Sequence, residues 1–274
     1  MLVTEIKILK NGKKLRLTDQ GLGLPIVFLH GYPENLQIWS NLVSSIFSDY
    51  RCVAMDWPGM GESEEWPGGA TPKHMAQRLA VILDELGIEK VALVACDMGG
   101  QAALEFALDF PNRTSHLIVM NSLVFGSLET SWEIRLLRKY NWNRHFLWHL
   151  PRVIFYRAFS TFLARKQKVS AEVVKDFWNS FKRPEVRKFV SKMCAGYQGS
   201  LPGLEKRYSE IEIPTLVLWG ARDKHFPLAQ GRKLNQEIES SKLVILHDGY
   251  HWMNWSHAQE IADEIKKFIS LNKK

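Results

Sequence analysis

The sequence predicts an α/β fold in which a mostly parallel sheet is flanked by helices and interrupted by a helical insertion. Three observations carry this. Apolar runs of strand length alternate with stretches of helical periodicity along most of the chain. The run Val91 to Cys96 stops at Asp97, and Met98-Gly99-Gly100 opens an Ala- and Leu-rich helical stretch. From about Leu123 to Ser209 the alternation ceases and only helical patterning remains. The domain organisation that follows is one core, residues 1–122 and 210–274, carrying a helical cap at 123–209.

Each element has its own signal. Thr4 to Leu9 and Lys14 to Asp19 alternate like strands around Asn11-Gly12, a strong hairpin turn. Pro25 to His30 reads as a buried strand and runs into His30-Gly31-Tyr32-Pro33-Glu34, where Gly31 permits an unusual turn and Pro33 stiffens it. Trp39 to Ile46 is helical, Tyr50 to Asp56 is a strand, and Trp57 to Ser63 is a glycine-rich turn. Thr71 to Leu86 is an amphipathic helix with Thr71 as N-cap and Gly87 as C-cap. His116 to Met120 is a strand ending at Asn121-Ser122. After the basic helical stretch the core pattern resumes with strands at Ile213–Trp219 and Lys242–Leu246, and His257 to Leu271 closes as a helix.

Composition narrows the function. The chain has 274 residues, 46% hydrophobic and 24% charged, as a globular protein has. No apolar run is long enough to cross a membrane, and residues 1–14 lack the apolar core of an export signal. Three widely spaced cysteines, Cys52, Cys96 and Cys194, match no metal-ligand spacing and suit a reducing cytosol. No metal or other cofactor is expected. The formal charge of +7 is uneven: Leu123 to Ser209 holds 17 Lys or Arg against six Asp or Glu, a balance of +11 that leaves −4 for the remainder. With no nucleic-acid module in sight, this reads as a solvated basic face rather than a nucleic-acid site. Stable membrane insertion is not expected, although the basic, aromatic stretch Phe146–Lys168 could touch a membrane surface. The chain is expected to be a monomer or homodimer acting on a small apolar organic substrate and water.

The chemistry centres on Asp97. Ala95, Gly99 and Gly100 surround it with small side chains, as a very sharp strand-to-helix turn requires, and such a turn lifts its apex residue above the sheet. An ordinary strand–turn–helix would use Asp97 merely as a helix cap. Two further signals argue for more: Asp223 follows a later strand in Gly220-Ala221-Arg222-Asp223, and His251 follows the last strand in Gly249-Tyr250-His251-Trp252. In parallel sheets reactive groups gather at the carboxyl ends of strands. The order nucleophile, acid, histidine resembles the α/β-hydrolase superfamily. With Asp at the apex and His30-Gly31-Tyr32-Pro33 upstream, the chain looks like the aspartate-nucleophile branch, the epoxide hydrolases and haloalkane dehalogenases.

The resemblance implies an α/β-hydrolase fold with a helical cap and a two-step reaction. Asp97 attacks an sp³ carbon, His251 activates the water that breaks the resulting ester, and Asp223 orients His251. The backbone N–H groups of Tyr32 and Met98 are the expected oxyanion donors. His30, Pro33, Asn121 and Trp252 are expected at the substrate pocket. Epoxide opening also needs a proton donor from the cap: Tyr197 is the first candidate, Tyr140 and Tyr156 weaker ones. Met98 stands where haloalkane dehalogenases carry Trp, Tyr32 where many carry Asn, and Met98 and Gln101 where haloacetate enzymes carry arginines, so epoxide hydrolysis ranks ahead of haloalkane or haloacid dehalogenation by the same two steps. A non-enzymatic ligand-binding homologue is a remote alternative. So is an ester or C–C hydrolase that has exchanged its serine, because acyl chemistry on Asp would give an anhydride.

Overall fold

The computed structural model describes residues 1–139 and 145–272. Eight strands form one sheet: β1 (Glu5–Ile8), β2 (Lys14–Gln20), β3 (Pro25–Leu29), β4 (Arg51–Met55), β5 (Val91–Cys96), β6 (Thr114–Met120), β7 (Thr215–Gly220) and β8 (Ser241–Leu246). Their order is β1-β2-β4-β3-β5-β6-β7-β8. β2 pairs antiparallel with β1 and with β4, and every other pairing is parallel. The hairpin at Asn11-Gly12 is present, with Gly12 at φ +77.

Helices cover both faces, because the parallel strands bury both sets of alternating side chains. α1 (Ser40–Ile46) and α11 (Ala258–Leu271) pack with Ile26, Phe28, Ala92 and Val94 on one face. α2 (Pro72–Glu85), α3 (Met98–Asp109) and α9 (Leu228–Glu237) pack with Val27, Leu29, Leu93 and Ala95 on the other. Thr71 caps α2 by accepting from the His74 N–H, and Gly87 adopts φ +64 beyond its end. A short helix, α10 (Met253–Ser256), lies between β8 and α11.

Between β6 and β7 the chain runs through α4 (Trp132–Lys139), α5 (His145–His149), α6 (Pro151–Phe162), α7 (Ala171–Phe181) and α8 (Pro184–Glu205). No strand occurs there among the described residues. Arg16, on β2, ties this helical stretch to the sheet: its guanidinium donates to both carboxylate oxygens of Asp176 on α7, at 3.1 Å each. Asn35 donates to the same carboxylate at 2.6 Å. Asp56, buried 3.6 Å from Arg16, accepts from the backbone N–H of Leu36 and of Glu62.

Candidate active site

The turn after β5 is as sharp as the glycine spacing requires. Asp97 sits at φ 49, ψ −122, where a residue with a side chain is strained. The strain holds because the surroundings leave no room for relaxation. A Cβ on Gly99 would lie 2.2 Å from the Leu29 carbonyl oxygen, and one on Gly100 would lie 2.3 Å from the Ser122 hydroxyl. The Ser122 hydroxyl donates to the Asp97 carbonyl, and the Asp97 N–H donates to the Asn121 carbonyl. The apex is thereby tied to the end of β6.

The two oxygens of Asp97 have different surroundings. Oδ1 accepts from the Met98 N–H at 2.6 Å and the Tyr32 N–H at 3.2 Å. Oδ2 lies 3.5 Å from His251 Nε2. On its far side His251 Nδ1 meets Asp223 Oδ2 at 2.8 Å, and Asp223 Oδ1 accepts from the N–H groups of His225 and Phe226. Four loops, after β3, β5, β7 and β8, thus converge on one carboxylate–imidazole–carboxylate row.

Electrostatics follow from that row. Burial disfavours a charged His251, but the charge and hydrogen bond of Asp223, with those of Asp97, outweigh it and push the ring up to about 10. The resting imidazole is therefore charged, held between two carboxylates. Glu34 lies beneath the Tyr32 turn, accepting from the Gly31 N–H at 3.1 Å and the Trp252 indole N–H at 3.2 Å. Burial, then the Asp97 charge, raise its carboxyl to about 7.

A cavity of about 430 Å³ opens above Asp97 and His251. Its walls come mainly from α4 and α6, with Ile134, Leu137, Ile154, Ala158 and Phe162 supplying apolar surface. Besides His251, the cation lining it among the described residues is Arg157, which donates to Glu133 at 2.8 and 3.1 Å.

Four residues expected at the pocket do not line this cavity. His30 is fully buried: its ring lies 2.8 Å from the Gly31 carbonyl through Nδ1, and its Nε2 accepts from the Trp57 N–H at 3.2 Å. Burial pulls it down to about 4, so it is a neutral brace for the oxyanion turn. Pro33 is buried behind Tyr32 in a cis peptide bond. Asn121 donates to the carbonyls of Tyr250 and His251 and accepts from the Gly220 N–H, clamping the histidine loop onto β7. Trp252 is spent on Glu34 and on stacking edge-on against Phe159 and Phe162. His30 and Asn121 are held by backbone groups of the turns at the strand ends, whereas Trp252 packs under the helical stretch, against Phe159 and Phe162 of α6 and Phe177 of α7, with its backbone N–H donating to the Phe162 carbonyl.

Among the cap tyrosines, Tyr156 is 58% exposed on the outer side of α6 and lies off the cavity, so it cannot serve as a proton donor there. Tyr140 lies outside the described residues. Tyr197 is buried on α8 without lining the cavity. Burial, Cys194 and the Asp97 charge hold its phenol well above the ordinary value.

Two groups that matter here were not singled out from the sequence. Glu34 had only its place after Pro33 to mark it. His225 lines the cavity and bridges Ser131 and Thr161 at 2.9 Å each, joining the Asp223 loop to the start of α4 and the end of α6. Its signal was proximity to Asp223 alone.

Residues 25–258 match the model of the alpha/beta hydrolase fold family. The chain belongs to that family, and it is an enzyme of the hydrolase class. It is 32% identical over 260 residues to a 2-hydroxy-6-oxononadienedioate/2-hydroxy-6-oxononatrienedioate hydrolase of Comamonas testosteroni, covering 89% of this chain and 87% of that one. It is 28% identical over 273 residues to the protein of the same name from Klebsiella pneumoniae, covering 95% and 93%. Among solved structures it superposes on the epoxide hydrolase CorEH with a TM-score of 0.83 at 18% identity, covering 98% of this chain and 99% of that one. It matches an esterase of Thermogutta terrifontis with a TM-score of 0.78 at 22% identity, covering 99% and 100%. These likenesses in structure speak for the fold.

Proposed function

We propose that the protein hydrolyses a small apolar epoxide to a vicinal diol through a covalent ester on Asp97. The observation that carries this is the division of labour within one carboxylate: Oδ1 is held by two backbone N–H groups, while Oδ2 is left for a substrate carbon beside His251. In the first step Oδ2 bonds to a ring carbon, the ring C–O bond breaks, and the departing alkoxide takes a proton from a phenol. In the second, water adds to the Asp97 carboxyl carbon and His251 Nε2 takes its proton. The negative charge then gathers on Oδ1, where the two donors already point. Collapse releases the diol and leaves one oxygen from water on Asp97.

The charged resting His251 supports this order. Esterification neutralises Asp97 at 3.5 Å, removing one of the two charges that hold the proton on the ring. With Asp223 still raising the ring, loss of the Asp97 charge loosens its proton and favours the neutral base at the stage where there is an ester to hydrolyse.

Of the two candidate phenols, Tyr197 is buried on α8 off the cavity, its phenol raised by burial, Cys194 and the Asp97 charge. Tyr32 lines the cavity, and its hydroxyl is buried with no hydrogen-bond partner among the described residues. A halide would instead need N–H donors. The indoles of Trp57, Trp219, Trp252 and Trp255 all donate to protein acceptors, and the one Trp on the cavity wall among the described residues, Trp132, is 58% exposed. Haloalkane dehalogenation by the same two steps is therefore the second reading.

The curated relatives are named for a dienedioate, which carries two carboxylates. Among the described residues the cavity offers a dianion Arg157, already paired to Glu133, and the His251 ring between its two carboxylates; a carboxylate that added to the ketone and then broke the carbon–carbon bond, expelling the carbon fragment, would be left as an anhydride. Carbon–carbon hydrolysis thus fits this site poorly.

The test is intact-protein mass spectrometry of His251→Ala incubated with aryl and alkyl epoxides, with bromoalkanes and with the dienedioate. The expected result is an added mass equal to one epoxide, absent in Asp97→Ala. A bromoalkane adduct without an epoxide adduct would move the reading to dehalogenation. Turnover of the dienedioate by the wild type, with no adduct in the His251 variant, would overturn covalent alkyl chemistry. Tyr32→Phe and Tyr197→Phe then identify the donor by which of them slows diol formation.

A further inference from the structure

The cavity reaches solvent through an apolar rim. Trp132, Leu150 and Val153 line it and are 58%, 45% and 63% exposed. Just beyond, Trp148 and Tyr156 are exposed too, off the cavity. α6 is amphipathic in an unusual sense: Phe155, Ala158 and Phe162 face inward, yet Val153 and Tyr156 on the other side are also apolar or aromatic. Three large apolar side chains exposed on the lining of one opening, with two more exposed on α5 and α6 beside them in sequence, exceed what a solvated cap surface needs.

Charge says what covers this rim. From Ile134 to Ala171 the sequence holds nine Lys or Arg and no Asp or Glu. Arg135 on α4 is exposed, and Arg152 is exposed between Leu150 and Val153, its guanidinium 5.5 Å from the Trp178 ring. Arg165, Lys166 and Lys168 follow exposed beyond α6. Aromatic and aliphatic side chains interleaved with cations on long stems match the headgroup layer of an anionic bilayer: the rings enter the acyl boundary and the cations stay among the phosphates. A second copy of the same face would meet its own positive charge.

We infer that the rim formed by α4, α5 and α6 docks on the surface of an anionic phospholipid bilayer, with the cavity mouth turned toward the lipid. No helix of the described chain is long and apolar enough to cross a membrane, so the contact is peripheral. Docking places the opening where apolar molecules concentrate. The inference does not depend on the reaction at Asp97.

Co-sedimentation with vesicles tests it without turnover, so its failure and the failure of the epoxide reading are separable. The wild type is expected to bind phosphatidylcholine vesicles containing phosphatidylserine, to ignore phosphatidylcholine alone, and to be released by salt. Arg135→Glu with Arg152→Glu should lower the bound fraction by roughly tenfold or more, given the weight of each cation near an anionic surface. Trp148→Ser with Tyr156→Ser should lower it as well; both pairs lie off the cavity wall, and circular dichroism checks their folding. Equal binding to neutral vesicles, no binding by the wild type, or wild-type binding by both pairs would overturn the inference. So would a wild-type dimer on gel filtration that Trp148→Ser with Tyr156→Ser turns into a monomer, since a second copy would then cover the rim.

Discussion

At the scale of single residues, the site is governed by a proton held between two carboxylates. The His251 pKa is raised from 6.5 to about 10, which has two measurable consequences. For stability, a histidine raised in the folded chain contributes fully below 6.5, and the contribution is lost as pH rises through about 10. His251→Gln should therefore lose stability relative to the wild type at the acid end of that window and converge with it at the alkaline end, read by denaturant unfolding across the range. For the proposed reaction, a protonated imidazole cannot accept a proton from water. Lowering the pH should slow ester hydrolysis more than ester formation, so rapid acid quenching of wild-type turnover should find more alkylated Asp97 at low pH than at high. An ester fraction independent of pH would remove His251 as the base. Asp97 and His251 could be named from the sequence because each stands next to a backbone feature, a sharp turn or a strand end. Glu34 and His225 could not, because what distinguishes them is what they touch.

At the scale of elements, the strand-to-helix turn is where packing and chemistry meet. Asp97 keeps a positive φ because β3, β5 and β6 leave its glycine neighbours no space. Gly99→Ala would drive a Cβ into the Leu29 carbonyl, a backbone atom that cannot swing aside. A loss of about 2–4 kcal/mol in stability is expected, the range of overpacking plus backbone displacement. Because Leu29 ends the strand leading to Tyr32, the same shift should move the Tyr32 N–H and slow the second step. Thermal unfolding with single-turnover kinetics reads both; an unchanged melting temperature would show that the turn has slack. The small-residue spacing made this turn legible in advance. The helices of the basic stretch were legible only as helices, since periodicity identifies an apolar face without saying what it faces.

At the scale of the whole molecule, an acidic sheet body carries a basic helical stretch, and buried polar ties join them. Arg16 is central: it is buried, 3.6 Å from Asp56 and bidentate to Asp176 on α7. Asp176→Ala would remove two of the guanidinium's three hydrogen bonds, leaving that from Nε to Thr4, and free the Asn35 amide as well. The expected cost is about 1–3 kcal/mol, the penalty of a buried polar group losing its acceptor. Protease susceptibility within α7 should rise with it. Unaltered unfolding and proteolysis would mean that apolar contacts alone hold the stretch in place.

Periodicity, glycine spacing and the order of three polar residues along the chain were enough to determine the parallel sheet, the sharp apex at Asp97 and its eventual partners Asp223 and His251. These are local signals, written in neighbouring residues or in the strand ends that a right-handed parallel sheet gathers along one edge. Which side chains reach the cavity was decided only in three dimensions. His30 and Asn121 turn toward buried backbone groups and Trp252 toward Glu34 and the rings of α6 and α7, while Tyr32, Thr161 and His225 line the opening. Side-chain direction at a turn depends on the hydrogen bonds its neighbours leave unmet, and those neighbours lie up to 218 positions apart in the chain.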